Sequence, residues 1–291
     1  MSADTSGLDA RAIARAFERA SSRYDEHAVL AGTARTEMLA RLELLAFEPS
    51  VVIDLGTGTG HGARALKERW PKARVVALDR SAGMLGAARR RRSWRRGFSL
   101  VRADALRLPL ATASVDLVFA NLLLPWCVDL DAQLLELRRV LSPRGYVSFS
   151  TLGPDTLKEL RAAWRLVDEG AHVHAFFDMH DIGDALVRAG FADPVMDVDR
   201  YTFTYPDLAA LVGELRALGG QNAGQARARG LGGATRRARL EAAYERFRGR
   251  DGRLPASCEL IYGQAWCPGV NPPIRGRRGE VVVPFERIGR R

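Results

Sequence analysis

The alternation of apolar and polar positions is clearest between residues 51 and 151. Short apolar runs that end in Gly, Asp or Asn alternate there with segments whose apolar residues recur every three or four positions. The short runs predict buried strands and the periodic segments predict amphipathic helices. Because strands that alternate with helices pair through crossovers, we expect an α/β fold with a doubly wound, mostly parallel sheet.

Helical periodicity also appears on both sides of this region. We expect one domain over residues 1–268, followed by a basic, loosely ordered tail at 269–291 that contains "NPPIRGRRGE". The domain would consist of an N-terminal helical lid at about 9–46, a core at 50–205, a helical insertion at about 206–250 and a last strand at about 258–266.

The charge of the chain is strongly positive. Forty-four Lys and Arg residues face 34 Asp and Glu residues, which gives a net charge of +10, and Lys67, Lys72 and Lys158 are the only lysines. Such a balance favours an acidic partner: nucleic acid, an anionic membrane surface or an acidic protein. The charge alone does not choose among them. The most basic segment is "AARRRRSWRR" at 87–96, which is also explained as a solvated helix end.

Other bulk features bear on the compartment. No apolar run approaches the ~20 residues that a membrane span needs. The first residues carry charges where a signal peptide has an apolar core. The cysteines Cys127, Cys258 and Cys267 form no CxxC pair, which argues against a disulfide framework and a cysteine zinc site. We expect a cytoplasmic protein without a membrane partner.

A glycine-rich loop follows the first predicted strand in "VVIDLGTGTG". Glycines allow positive φ and close approach of a ligand, and the next helix would present its N-terminal amides to it. His61 stands where a dinucleotide fingerprint has its third glycine, and no GK[ST] follows as in a phosphate loop. The loop therefore predicts a nucleotide-like ligand of another kind.

Carboxylates stand at or near the ends of three successive predicted strands. Asp54 precedes the glycine loop, Asp79 ends the second strand and Asp104 follows the third. An acidic residue in the place of Asp79 can accept both ribose hydroxyl hydrogens. Asp104 can accept an adenine amino hydrogen. Three carboxylates would repel a pyrophosphate and suit a ligand that carries an amine and a sulfonium.

The segments "VVIDLGTGTG", "VVALDRSAGML", "VRADALRLP" and "VDLVFANL" together resemble the class I S-adenosylmethionine-dependent methyltransferases, in order and spacing, over residues 51–122. The resemblance implies a seven-stranded sheet and S-adenosylmethionine as co-substrate. It also implies which residues contact each part of the co-substrate. The methionine part would be contacted by Asp54, Gly56, Thr57, Gly58 and Gly60, the ribose by Asp79 beside Arg80, the adenine by Met84, Asp104 and Ala105, and the sulfonium region by Asn121. Thr57 departs from the Cys of many members, and core packing alone would also explain Met84.

Segments outside the co-substrate motifs resemble the malonyl-acyl-carrier-protein O-methyltransferases over residues 11 to about 267. They are "ARAFERASSRYDEHAVL", "TLGPDTLKELR" and the stretch that begins "FFDMHDIGDAL"; Ala31 and Pro125 depart from the Gln common in that family. The resemblance implies methylation of the free carboxylate of a malonyl thioester on acyl-carrier protein, an early step of biotin synthesis. Because carrier proteins are acidic, this partner also agrees with the basic chain.

Three residues are candidates for handling the acceptor. Arg161 would hold the malonyl carboxylate, Tyr24 would lie near the transferred methyl, and His180 would line the acceptor pocket. A solvated helix arginine explains Arg161 equally well, and helix packing is a serious alternative for Tyr24. His174 and Asp178, four residues apart, suggest a metal site, but this chemistry needs no metal and we expect none.

Three other functions remain open at this stage. The high pI and Trp94 among arginines fit an RNA methyltransferase, although the chain lacks an NPPY-type motif and an appended RNA-binding module. Respiratory complex I assembly factors share a similar "TLG-D-TL-ELR" stretch, and one hydroxylates an arginine of a protein partner. The third alternative binds the co-substrate without catalysis. We expect no nucleic-acid partner, and the sequence leaves the oligomeric state open.

Overall fold

The computed structural model describes residues 7–93, 97–220, 222–224, 233–269, 274–275 and 281–282. Its main sheet has seven strands: β1 (Val51–Leu55), β2 (Arg74–Asp79), β3 (Ser99–Arg102), β4 (Val115–Asn121), β5 (Leu141–Leu152), β6 (Ala192–Tyr205) and β7 (Leu254–Trp266). The strand order is β3-β2-β1-β4-β5-β7-β6. Only β7 runs antiparallel to its neighbours. The predicted α/β fold with a mostly parallel, doubly wound sheet is confirmed.

Ten helices surround this sheet in the described part of the chain. They are α1 (Ala10–Ala20), α2 (Tyr24–His27), α3 (Val29–Glu43), α4 (His61–Arg69), α5 (Ala82–Arg91), α6 (Leu130–Val140), α7 (Lys158–Arg165), α8 (Met179–Arg188), α9 (Leu208–Ala217) and α10 (Ala234–Tyr244). Asp9, Ser81, Asp129 and Asp207 cap helices with their side chains. None of the described helices is long and apolar enough to cross a bilayer.

Two layers of helices cover the sheet. Leu134 of α6 and Ile182 of α8 belong to one apolar cluster on one face, together with strand residues such as Ile53. Met38 of α3 and Leu66 of α4 pack on the other face with strand residues such as Val52. Successive strand residues point to opposite faces, so the apolar runs β1 and β2 are buried on both sides.

A third apolar cluster lies beyond the edge of the sheet. It joins α7, α9 and α10 to the start of β7 through residues such as Leu160, Leu211, Tyr244 and Leu254. This packing explains why β7 begins at Leu254, four residues before the predicted start at 258. The burial of these residues fixes α7 and α9 beside the carboxyl ends of the parallel strands.

Several predictions concern segments of which little is described. The basic helix predicted to reach residue 96 ends at Arg91, and residues 94–96, which include Trp94, lie outside the described residues. In the predicted loose tail, Ile274–Arg275 (β8) pairs antiparallel with Val281–Val282 (β9). Most of the other residues of the tail lie outside the described part.

Candidate active site

A cavity of about 310 Å³, called the main cavity below, lies at the carboxyl edge of the parallel strands under α1, α2 and α9. A small cavity of about 50 Å³ adjoins the glycine loop. Tyr24, Gly56 and Asn121 line both cavities. Ligands of open α/β sheets bind at this edge, so the location agrees with the sequence prediction.

The carboxylate of Asp54 is buried at the start of α4, on the small cavity. Its Oδ2 accepts a hydrogen bond of 2.5 Å from the Thr57 hydroxyl, and the amide of Ala63 donates to the carboxylate as well. A Cβ at Gly62 would lie 2.8 Å from Oδ2, so only glycine leaves room for it. Burial raises the pKa of Asp54 to about 6 in spite of these hydrogen bonds.

The glycine loop is linked directly to the end of β2. The amide of Gly58 donates a hydrogen bond of 2.9 Å to Asp79 Oδ2, and the amide of Ser81 donates one of 2.8 Å to Oδ1. Gly60 has φ +88° and lies so close to α5 that a Cβ would be 2.7 Å from Ala88 Cβ. The loop conformation and this close approach therefore require glycine at position 60.

Asp79 retains acceptor capacity for a ligand. A carboxylate has roughly four lone-pair sites, and the backbone amides of Gly58, Ser81 and Arg80 donate to this one. Burial raises the pKa of Asp79. Met84 lies in the first turn of α5, is 1% exposed and lines the main cavity together with Asp79.

Asp104, Ala105 and Arg80 also line the main cavity. Arg80 Nη1 lies 3.5 Å from Asp104 Oδ2, and Asp104 Oδ1 accepts from the amide of Leu106 at 3.1 Å. The carbonyl of Ala105 accepts a hydrogen bond of 2.8 Å from the Gln133 side chain. The loop after β3 is thereby held in place at the cavity wall.

Asn121 uses both ends of its amide within the protein. Oδ1 accepts from the Ser150 hydroxyl at 2.7 Å, and Nδ2 donates to the carbonyl of Ala31 at 2.9 Å. The side chain therefore links the ends of β4 and β5 to α3. Its predicted place at the reacting centre agrees with its position on both cavities, but its polar atoms already have partners.

Tyr24 lies on α2 at the junction of the two cavities. Its hydroxyl makes no hydrogen bond to any residue in the described ranges, whereas the neighbouring Asp25 accepts from Thr59 Oγ1 at 2.6 Å and from Arg91. Burial raises the pKa of Tyr24 to about 12, and the charges of Asp79 and Asp25 act in the same direction. The phenol is therefore protonated at neutral pH and is available as a hydrogen-bond donor.

Arg35 of α3 is a site residue that sequence reasoning missed. It is half-buried on the small cavity with Asp54 and makes no ion pair with another described residue. Burial lowers the pKa of Arg35, and the charges of Asp54 and Asp25 oppose this effect. An arginine and a carboxylate on one small cavity can receive the two charged groups of an amino acid.

The "TLGPDTLKELR" segment builds the opposite end of the main cavity. Glu159 accepts from the amide of Ser257 at 3.0 Å and from its hydroxyl at 2.5 Å. Thr156 Oγ1 donates to the carbonyl of Glu259 and accepts from its amide. These bonds fix the segment on β7, so that Thr156 and Leu157 line the cavity.

Two of the predicted acceptor residues lie elsewhere. The Arg161 guanidinium donates to the carbonyls of Pro154 at 2.8 Å and Thr156 at 2.9 Å, and the residue does not line either cavity. His180 is an exposed residue at the start of α8, and its ring lies 2.8 Å from Asp178. In this structure Arg161 therefore holds the segment through its backbone and His180 lies at a helix N-terminus, and their roles toward the acceptor stay predictions.

The other histidines of this region serve packing. His172 lies 2.6 Å from Asp168 and stacks on Trp164 with a centroid distance of 3.6 Å. His174 packs on Trp126, and burial lowers its pKa to about 4, which keeps it neutral. No group of three or more metal-ligating side chains occurs in the ranges that the structure describes.

The end of the main cavity next to β6 and β7 is mostly apolar. It is formed by Thr156, Leu157, Phe203, Tyr205, Leu211 and Cys258, and is called the β6–β7 end below. The Tyr205 hydroxyl donates to Glu214 Oε1 at 2.8 Å. The sequence identified these residues only as strand and helix positions, because their distances along the chain give no local signal.

Comparison with known proteins shows that the chain is similar to methyltransferases. Residues 53–149 match the family model described as a methyltransferase domain. A protein of Gallionella capsiferriformans named malonyl-[acyl-carrier protein] O-methyltransferase is 46% identical over 282 residues, which cover 95% of this chain and 96% of that protein. One of the same name from Methylovorus sp. is 48% identical over 274 residues, 92% of each chain.

Solved structures resemble the chain at lower identity. A SAM-dependent methyltransferase from Thermotoga maritima superposes with a TM-score of 0.52 at 17% identity, over 88% of this chain and 99% of that one. At this identity the likeness shows the fold alone.

Proposed function

The chain belongs to the malonyl-acyl-carrier-protein O-methyltransferase family, and from this membership we propose its reaction. It transfers a methyl group from S-adenosylmethionine to the free carboxylate of a malonyl thioester on acyl-carrier protein. The product is the methyl ester of the malonyl group on the carrier protein, formed in an early step of biotin synthesis. We place the reaction in the cytoplasm.

One observation carries this proposal beyond the family name. The main cavity is continuous from Asp79 and Met84 at the glycine-loop end to Leu157 and Tyr205 at the β6–β7 end. Two ligands that enter from different sides would therefore meet beside Tyr24. A transferase needs this juxtaposition of two substrates, whereas a protein that only binds the co-substrate does not.

The side chains at the glycine-loop end fit S-adenosylmethionine. Asp54 and Arg35 would receive its amino and carboxylate groups, and the free lone pairs of Asp79 would accept from the ribose hydroxyls. Met84 and the loop of Asp104 would enclose the adenine. The buried carboxylate of Asp54 beside the half-buried guanidinium of Arg35 is the strongest sign of this fit, because burying charged groups without a ligand costs free energy.

When bound, S-adenosylmethionine supplies a methyl group on a positively charged sulfur, which a carboxylate oxygen can displace in line without a base because it is already ionised at neutral pH. The protein therefore has to position and desolvate the reactants. The apolar walls of the β6–β7 end exclude water from the acceptor carboxylate. The protonated Tyr24 hydroxyl can orient that carboxylate by a hydrogen bond weaker than an ion pair, which leaves its oxygen nucleophilic.

The direct test is transfer of a labelled methyl group to malonyl-acyl-carrier protein, with acetyl-acyl-carrier protein and bulk tRNA in parallel. We expect label on the malonyl carrier alone, released by mild base as expected for a methyl ester. Label on the acetyl carrier or on RNA, or no transfer in spite of tight co-substrate binding, would contradict the proposed acceptor. Asp79→Ala provides the matched inactive protein.

A further inference from the structure

We propose that the outer face of α1 is the surface on which the acidic carrier protein docks. The surface consists of Arg11, Arg15 and Arg19, and is called the α1 arginine stripe below. This inference rests on the proposed function, because it names the part of the protein that recognises the carrier of the malonyl group.

The geometry of α1 connects this surface to the cavity. Ala10, Ile13 and Phe17 line the main cavity, whereas Arg11, Arg15 and Arg19 are exposed. A spacing of four residues turns only about 40° per step, so the three arginines form one stripe that extends for about 12 Å. One side of a single helix thus covers the reaction space and its other side presents cations to solvent.

No described residue pairs with the charges of the stripe. None of its three arginines forms an ion pair with a residue in the described ranges. The only acidic residue of α1, Glu18, is engaged by the start of α5: its carboxylate accepts from the Ser81 hydroxyl at 2.7 Å and from the amide of Gly83 at 2.9 Å. The stripe is therefore an unbalanced positive field on the surface.

The helix dipole explains only one of these arginines, Arg19, which lies in the last turn of α1. Arg11 stands in the first turn, where the dipole disfavours positive charge, and Arg15 lies in the second turn, where the dipole has little effect. On α5 the basic pair is placed differently. Arg89 and Arg90 lie in its last turn, where positive charge stabilises the helix end. The arginines at the end of α5 have a structural reason, whereas the helix dipole gives none for Arg11 and Arg15.

A further arginine extends the field across the cavity roof. α9 packs against α1, and Leu215 and Leu218 at its end line the main cavity with Phe17. Arg216, on the same helix, is exposed and has no ion-pair partner among the described residues. Positive charge thus lies on two of the three helices that cover the cavity, α1 and α9, and an acidic protein that docks there would have its prosthetic arm beside the reaction space.

A charge-reversal pair tests the docking surface. Arg11→Glu/Arg15→Glu is compared with the matched control Arg89→Glu/Arg90→Glu, which changes the net charge equally. Each protein is assayed on malonyl-acyl-carrier protein and on malonyl-pantetheine, which offers the same thioester without a protein. Binding of fluorescent holo-acyl-carrier protein, at low and high salt, gives a readout that is independent of catalysis.

We expect Arg11→Glu/Arg15→Glu to lower kcat/KM for the carrier substrate about tenfold or more at low salt, to weaken carrier binding equally, and to lose most of the salt dependence. Malonyl-pantetheine turnover should stay within about twofold, because it does not use the surface. The control should match the wild type within the same limit on both substrates.

An equal loss on both substrates, an equal loss in the control or an unchanged affinity for the carrier would each overturn the docking surface. Tight binding of RNA that the α1 variant loses and the control keeps would also overturn it. If the wild type binds the carrier through α1 but methylates no malonyl thioester, the proposed function fails while the docking surface stands.

Discussion

The two ends of the main cavity recognise their ligands by different physical means. At the glycine-loop end, Asp79 lines the main cavity, and Asp54 and Arg35 line the small cavity that adjoins it. Near the β6–β7 end, the carboxylate of Glu214 accepts from the Tyr205 hydroxyl, and Glu159 and Arg161 behind the cavity wall are bound by the protein's own groups. The first end can select by ion pairs and hydrogen bonds, whereas the second has to select by shape and exclusion of water.

The largest effect should follow from Asp79→Ala at the glycine-loop end. Loss of two hydrogen bonds to a buried carboxylate amounts to about 3 kcal/mol, so we expect the Kd for S-adenosylhomocysteine to rise about 100-fold. Isothermal titration calorimetry measures it. The control, Glu214→Gln at the β6–β7 end, should leave this Kd unchanged. Comparable weakening by both variants would break the division between the two ends.

Removing Arg35 should have a smaller and more selective effect. Arg35→Ala should weaken S-adenosylhomocysteine about 10- to 30-fold, because one charge-assisted hydrogen-bonded contact to its carboxylate is lost. The affinity for 5′-methylthioadenosine, which lacks the amino-acid part, should not change. Equal weakening of both ligands would show that Arg35 acts only on the shape of the site.

The pH dependence of binding sharpens the same comparison. The pKa of Asp54 is about 6 in the free protein, and only its ionised form attracts the ligand's ammonium group. Below pH 6 the carboxyl has to lose its proton before the ligand binds. The affinity is therefore highest above pH 6 and decreases as the pH falls through this pKa. We expect S-adenosylhomocysteine to bind about tenfold more weakly at pH 5 than at pH 7, as one titrating carboxyl predicts.

The ligand 5′-methylthioadenosine again serves as the control for the pH effect. It does not reach the amino-acid subsite, so its affinity should change less over the same range. Burial also raises the pKa of Asp79, but Asp79 would contact the ribose of both ligands. Its effect on the pH dependence therefore cancels when the two ligands are compared. Identical pH profiles would assign the effect to Asp79.

The smallest effect on activity should come from Arg161→Ala at the β6–β7 end. Two backbone carbonyls would lose their donor, so the free energy of unfolding should fall by about 1–3 kcal/mol. The KM for the malonyl carrier should change less than about threefold, because the guanidinium does not line the cavity. Chemical denaturation and initial rates measure the two. A large increase in KM at unchanged stability would return Arg161 to the acceptor site.

The sequence predicted the sheet and the co-substrate motifs because both are local patterns. A buried strand, a glycine loop and a terminal carboxylate follow one another within about ten residues, so Asp54 and Asp79 were identifiable as candidates. The roles of these candidates stay predictions. Arg35 carries no such pattern, since its place on the small cavity depends on how α3 crosses the end of the sheet.

The β6–β7 end was predictable in location but not in detail. The "TLGPDTLKELR" segment does lie beside the cavity, as its position after a strand indicated. The sequence could not show that the carbonyls of Pro154 and Thr156 take the Arg161 guanidinium, or that Asp178 holds His180 at an exposed helix start. Both side chains are occupied by hydrogen-bond partners whose positions depend on the fold, and the residue type alone does not reveal them.

The absence of a side chain at Gly62 bears on how this protein tolerates mutation. Even the smallest replacement would place a carbon 2.8 Å from Asp54 Oδ2 and displace the carboxylate. Selection on ligand affinity should therefore act on Gly62, a residue chosen for the space it leaves and not for any contact it makes. Alanine, serine or arginine at this position would disturb the active site through Asp54. A library of variants that is selected for ligand binding should therefore be depleted of all three.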